Sequence, residues 1–472
     1  MSIFSLVIVG IIAKCIDERR QLSDIIVSLT SISILLELGI SVGYFIRVGS
    51  FEVGFSEAVI ILDTFFCMVY LVHRKRVDKR AGILGTLLLG SAMISLFLLI
   101  VAPYSGAVVQ SAEEWDYYYF YGVKPTGLHI SLNQVKEFMH LFCYVILFTC
   151  IFSLEREKVY DILKKTQKGS KIFLTAGIVE ILFVYILNKQ ELLTAIEKKI
   201  FGDSYFTDGS LLSIGYSNRL RGLKSEPSMY AYTLFVFGLI FLIGWLYQKN
   251  KNDRKWFLLS MVLMILTKSF SAVLCMGLVV VYVLIFHYKN TNSAKKLLYF
   301  IISVVIIGIS FAVLVKIANT TRFDSYYLER IRKGILSMTD LSIGGWTGDY
   351  ATYDGSTKVR LISIVGTWAY VLKRPFFGLA LGSTYAHSTM ITVLASLGWV
   401  GTLIWVAFTF YLGKNKKGIF YTIVCIIHVL ALILFGNGFF PFYGVQNILI
   451  IELFDIYAVS YTHLRAHETS AH

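Results

Sequence analysis

Residues 219–231 read RLRGLKSEPSMYA and lead directly into the apolar run YTLFVFGLIFLIGWLY. Arg219, Arg221, Lys224 and Glu226 therefore stand at the lip of a membrane-length segment, where charge is costly unless something meets it. A guanidinium grips phosphate oxygens through two parallel hydrogen bonds, Lys224 adds a point charge, and Gly222 lets the backbone approach closely. Ser-Glu-Pro has a structural explanation of its own. Pro227 suits the first turn of a helix, Ser225 or Glu226 can cap it, and Glu226 complements the positive end of the helix dipole. That explanation does not reach the arginines. A second pair of candidates stands farther along: Arg360, near the start of STKVRLISIVGTWAYVLK, and His387, just ahead of another apolar run. A histidine at a water-facing helix mouth can take a proton near neutral pH; the plainer alternative is an interfacial imidazole bonded to backbone.

The elements that position these residues are membrane spans. Mean hydropathy is +0.68. Apolar residues make up 56% of the chain and charged residues only 16%, against about 25% charged in soluble domains. Candidate crossings, most of them long enough for a hydrocarbon core, fall at 2–16, 22–46, 52–72, 81–101, 129–153, 170–187, 227–247, 256–268, 270–287, 297–316, 384–412, 418–435 and 441–459. The expected fold is all-α: a polytopic membrane protein of 12–13 transmembrane helices, with a hairpin of two short helices at 256–287. The first run is followed by DERR rather than a small-residue cleavage site, and reads as a short span or signal anchor.

Alternate connections (DERR, HRKRVDKR, EREKVYDILKKTQKGSK, QKNKNDRK, YKNTNSAKK, GKNKK) hold about two dozen basic residues, and the short connections opposite about three. The clusters belong in the cytoplasm, and the net charge of +14 is accounted for without nucleic acid. All five prolines and the two longest loops, 188–226 and 317–383, then fall outside. Those loops carry about fifteen Lys and Arg against the trend: either long loops translocate regardless of charge, or their cations converge on an anionic substrate. Within the second loop, 356–373 reads as an interfacial amphipathic helix with Val359, Ile362, Val365 and Trp368 on one stripe. The aromatic stretch WDYYYFYG (115–122) suits either sugar stacking or an ordinary interfacial belt. Cys15, Cys67, Cys143, Cys150, Cys275 and Cys425 lie in or at the ends of apolar runs without disulfide or zinc spacing, and read as small apolar fillers. No Gly-rich phosphate loop is present, and no metal or cofactor is expected.

An Arg lead into Glu-Pro-Ser and a span, an Arg in a large external loop, then P-x-x-G-x-x-x-G, a His and LG-x-x-G together resemble the O-antigen ligase/polymerase superfamily. The match is closest to Wzy-type polysaccharide polymerases. The residues are Arg221–Gly222, Glu226–Pro227–Ser228, Arg360, Pro375/Gly378/Gly382, His387 and Leu397–Gly398/Gly401; LTKSFSAVLCMGL is similar to the family's short Ser-containing hairpin. Ser388, Ala380 and Ser396 depart from the usual pattern. The resemblance implies a GT-C-like, metal-independent membrane glycosyltransferase that joins undecaprenyl-pyrophosphate-linked repeat units outside the bacterial inner membrane. It also implies a chain-length regulator and a flippase as possible partners. Arg221 and Arg360, with Arg219 and Lys224, would hold the diphosphate; His387 would take the proton of the acceptor hydroxyl; Glu226 would orient an arginine.

Two alternatives stay open. A ligase would transfer finished glycan to another acceptor through the same residues. A flippase or other transporter would favour charges at the bilayer midplane, for which Glu37, Asp63, Glu180 and Glu452 are the candidates. The chain is expected to form one membrane domain over 1–459, its two external loops covering the site. The abruptly polar tail SYTHLRAHETSAH (460–472) is expected to be disordered and non-native.

Overall fold

In hydrocarbon every backbone N–H and C=O must find its partner within the protein, and a run of apolar residues achieves this alone only as a helix. The computed structural model describes residues 2–17, 21–41, 44–48, 51–73, 77–111, 114, 115, 117, 118, 123–128, 130–202, 219–224, 226–289, 328, 329, 332, 333, 335, 336 and 355–409. Among these the chain is all-α apart from one two-stranded antiparallel hairpin, and seven helices are long and apolar enough to cross a membrane. It is an all-α polytopic membrane protein. The expected spans at 297–316, 418–435 and 441–459, most of the loop before 355, and the tail 460–472 lie outside the described residues.

The helices are α1 (Ile3–Asp17), α2 (Leu22–Gly39), α3 (Phe55–His73), α4 (Lys79–Val101), α5 (Leu132–Ser153) and α6 (Arg156–Ile181), which runs on into a π-helical turn at Leu182–Ile186. Then come α7 (Gln190–Phe201), α8 (Pro227–Gln248), α9 (Lys251–Leu266), α10 (Phe270–Lys289), α11 (Gly355–Lys373) and α12 (Thr389–Thr409). The short hairpin pairs β1 (Ile46–Val48) with β2 (Phe51–Val53). The chain divides into two compact units, one built from Met1–Gly82 and Cys143–Met276, the other from Ile83–Phe142 and the described residues between Gly277 and Thr409.

In the first unit α8 packs chiefly on α9, and α2 on α3 and α6. Helix α8 is apolar all round and buried over most of its length, as a helix enclosed by others must be. Along α2 and α6, Lys158 Nζ meets Asp24 Oδ1 at 2.5 Å and Lys165 Nζ meets Ser28 Oγ at 2.8 Å, and Lys171 lies over the Trp256 ring. The close of α2, α7, residues 219–224 and the turn after α9, where Lys268 has φ +48, gather together.

Several boundaries differ from expectation. The run 22–46 stays helical only to Gly39; Ile40 turns extended and bridges to Leu223, and Ser41 N donates to Leu223 O at 2.9 Å. Helix α6 begins at Arg156, well before 170; its polar first half is half amphipathic surface and half basic end. Helix α7 was not expected at all, although Leu193, Ile196 and Ile200 recur at helical spacing; Phe201 at its close joins an edge-on cluster with Phe4 and Phe55. The span expected from 384 starts at Thr389, since 374–388 is a non-helical strip.

In the second unit that strip is fastened to a break in α12. Gly398 adopts φ +66, ψ −173, open only to glycine, and a Cβ there would meet the backbone of Phe376 and Phe377. The break frees the carbonyls of Ala395 and Ser396, which accept from Leu379 N at 2.8 Å and Ala380 N at 3.0 Å; Trp399 N returns a bond to Pro375 O at 2.7 Å. Ser95 Oγ, on α4, completes the set with bonds to Phe377 O and Ser396 O. Non-helical backbone at membrane depth is tolerated where the protein itself satisfies it, and the Pro-x-x-Gly and Leu-Gly motifs are the two sides of one such junction.

Candidate functional site

Arg219, Arg221 and Lys224 sit together at one end of the first unit, all largely buried. Their placement begins with backbone. Leu220 N donates to Leu266 O, Leu223 bridges to Ile40, and Gly222 takes φ +58 with the Tyr230 ring packed 2.5 Å from where a Cβ would be. Two carboxylates then hold the segment. Glu180, near the close of α6, accepts from Arg221 N at 3.0 Å and from Gly222 N at 2.6 Å. Glu197, on α7, forms an ion pair with the Arg221 guanidinium, whose other arm donates to Lys224 O at 3.1 Å. Arg219 Nε donates to Thr267 O at 3.1 Å, and Lys224 Nζ to Glu37 O at 2.6 Å.

Electrostatics follow from burial. Desolvation raises the Glu197 carboxyl, against the opposing pull of Arg221. Desolvation lowers the Lys224 ammonium to about 8, opposed by the charge of Glu37. Glu226 occupies the position before α8 with Pro227 in the first turn, as the sequence suggested, but its side chain does not cap the helix; Ser228 Oγ donates to it at 2.9 Å. Ser225 lies outside the described residues. The described carboxylate on the Arg221 guanidinium is Glu197, which sequence reading had passed over.

Arg360 and His387 come together in the second unit through α11. Ser363 Oγ stands 3.1 Å from His387 Nδ1, accepts His387 N–H at 3.0 Å and donates to Arg360 O at 2.8 Å. The imidazole meets the Tyr385 ring edge-to-face, centroids 5.2 Å apart. Tyr385 is itself pinned by its carbonyl, which accepts from Trp115 Nε1 at 2.7 Å and Thr367 Oγ1 at 3.2 Å. Desolvation, and after it the Arg360 charge, lowers His387 to about 3, so the ring is neutral at physiological pH.

The face that α11 buries coincides with only part of the stripe expected for it. Val359 and Ile362 are buried, together with Ser363, Thr367 and Tyr370, whereas Val365 is half-buried and Trp368 is turned outward and meets Trp399 edge-on. Two of the buried residues are polar, because this face must satisfy the carbonyls and N–H groups of the strip at 385–387; a search for apolar periodicity passes over them. In the aromatic stretch, Trp115 is a packing residue lodged against Gly366 and hydrogen-bonded to the strip, while Tyr117 is exposed. Among the described residues no three His, Cys, Asp or Glu side chains converge as metal ligands.

The intramembrane carboxylates also find their places. Asp63 accepts from Thr30 Oγ1 at 2.7 Å across α2 and α3, and Glu180 serves the backbone of 221–222; Glu452 lies outside the described residues.

The chain matches no protein-family model, no curated protein and no solved structure.

Proposed function

We propose that the protein is a membrane glycosyltransferase that polymerises undecaprenyl-pyrophosphate-linked oligosaccharide repeat units on the outer side of the bacterial cytoplasmic membrane. The observation that carries this reading is the neutral imidazole of His387, oriented by Tyr385 and Ser363 beside the Arg360 cation. A base must hold a lone pair, and a guanidinium nearby disfavours the imidazolium until an anionic leaving group arrives to offset it. The acceptor hydroxyl oxygen attacks the anomeric carbon of the donor sugar, the bond from that carbon to the diphosphate oxygen breaks, and undecaprenyl diphosphate leaves with the electron pair. The hydroxyl proton passes to His387. Arg360 supplies positive charge to the diphosphate, while Arg219, Arg221 and Lys224 are engaged with Thr267 O, Glu197 and Glu37 O within their own unit.

The transporter alternative loses support from the pairing of Asp63 and Glu180, both engaged in holding the fold together. The ligase alternative uses the same residues and differs in its acceptor. Purified protein given lipid-linked repeat units separates the three: a ladder of repeats is polymerisation, a single transfer to a different acceptor is ligation, and movement of lipid across vesicles without new bonds is transport. His387→Ala, at undiminished expression in the membrane, is expected to abolish long polymer in cells. Full-length polymer from that variant would remove His387 from the reaction.

A further inference from the structure

The hydroxyl of Ser363 has one proton and two lone pairs to share among three neighbours. The Arg360 carbonyl at 2.8 Å can only accept, and the His387 backbone N–H at 3.0 Å can only donate. The third neighbour, His387 Nδ1 at 3.1 Å, can do either. Only one arrangement makes all three bonds: Ser363 gives its proton to Arg360 O, takes the backbone N–H on one lone pair, and takes Nδ1–H on the other. Ser363 is fully buried, so water does not offer a substitute. In a neutral imidazole the proton on Nδ1 leaves the lone pair on Nε2.

We propose that Ser363 is a positioning residue that locks His387 as the Nδ1–H tautomer and so presents Nε2 as the proton-accepting atom. The proposal rests on the glycosyltransfer reading for its consequence in catalysis, but not for the proton arrangement itself. The backbone bond matters as much as the ring bond. By holding His387 N and Nδ1 at one oxygen, Ser363 limits both rotation of the side chain and drift of the strip on which it sits. Tyr385, edge-on to the ring and tied by its carbonyl to Trp115 and Thr367, limits the remaining tilt. The sequence hides this role, since Ser363 is a single hydroxyl between Ile362 and Ile364 in an amphipathic helix.

The test is nitrogen NMR of the full chain, labelled with isotopic histidine and embedded in lipid nanodiscs, with the His387 signals identified by their loss in His387→Gln. Wild type is expected to show a protonated Nδ1 and an unprotonated Nε2. Ser363→Ala is expected to move the proton to Nε2 in most molecules, and Ser363→Thr, which keeps the hydroxyl, to restore Nδ1–H. If Ser363→Ala does not fold, Ser363→Cys decides, its weaker hydrogen bond giving a mixture of tautomers. A protonated Nε2 in wild type, or a tautomer ratio unchanged in the folded Ala or Cys variant, overturns the proposal. On lipid-linked repeat units, Ser363→Ala should lower kcat about 10- to 100-fold with KM within about twofold, since a mis-set base harms proton transfer rather than ground-state binding. Wild-type kcat in Ser363→Ala would also overturn it. No new glycosidic bond from wild-type protein on lipid-linked repeat units would instead sink the glycosyltransfer reading, and the tautomer measurement would still decide what Ser363 does to the imidazole.

Discussion

Glu180 gives the sharpest test of how the Arg221 segment is held. Both oxygens of its carboxylate accept backbone N–H groups, from Arg221 at 3.0 Å and Gly222 at 2.6 Å, and both bonds are buried. Gly222 cannot relax into a neighbouring conformation, since its φ of +58 is set against the Tyr230 ring. Glu180→Ala therefore strands two donors where water does not reach. At about 1–3 kcal/mol for each buried, unsatisfied group, the segment loses about 2–6 kcal/mol of local stability. Even the lower bound makes local opening about 30-fold more frequent. Glu180→Gln is the graded control: its amide oxygen serves one N–H, while its NH2 confronts the other, so about half the loss is expected. Amide hydrogen exchange at Arg221 and Gly222, in lipid nanodiscs, reads the opening directly. Exchange at both amides unchanged in a folded Glu180→Ala protein would refute the reasoning, because it would mean that these N–H groups do not depend on the carboxylate.

Two further outcomes are expected. His387, lowered to about 3 from 6.5 chiefly by burial and then by Arg360, contributes stability that is complete above pH 6.5 and lost as pH falls towards 3, because the unfolded chain takes up the proton first; the unfolding midpoint of wild type should drop more steeply between those limits than that of His387→Gln, and parallel curves would contradict it. Gly398→Ala forces a Cβ into the Phe376–Phe377 backbone at a φ/ψ that only glycine adopts, and should destabilise the protein by about 2–3 kcal/mol in thermal unfolding in detergent, whereas a loss under about 0.5 kcal/mol would show that the break in α12 is not held as described.

Much of this molecule was legible along the chain. Spans could be recognised because hydrocarbon thickness sets their length. The first helical turn at Pro227 and the close approach at Gly222 could be anticipated from residue type, whereas Gly378, Gly382 and Gly398 stood out only as motif positions of a resemblance; all four glycines have positive φ. What stayed hidden has a common cause. Glu180 and Glu197 meet Arg221 from 41 and 24 positions away, across separate helices. Two of the bonds run to backbone N–H groups, which every residue possesses, so no local pattern of side chains marks them. Ser363 was overlooked for a related reason: helical periodicity is read from apolar residues, and a buried face that serves a polar strip breaks that rule where the chemistry is densest.

In an apolar helix with no oppositely charged neighbour at helical spacing, a carboxylate is too costly to persist unless it is satisfied from elsewhere. The donors in shortest supply at membrane depth are backbone N–H groups of segments that are not helical, since helices use their own. A lone carboxylate in such a helix is thus evidence of a donor on another element, either a non-helical segment with spare N–H groups or a side-chain hydroxyl. For Glu180 the donors come from 219–224, which contains a glycine of positive φ and is followed by the proline at the start of α8. By the same logic Asp63, fully within α3, has a hydroxyl partner on α2 rather than a loop, because every backbone group around it is already helical. The two acids differ in what they hold: Asp63 fastens helix to helix, and Glu180 fastens the arginine-bearing segment to the frame.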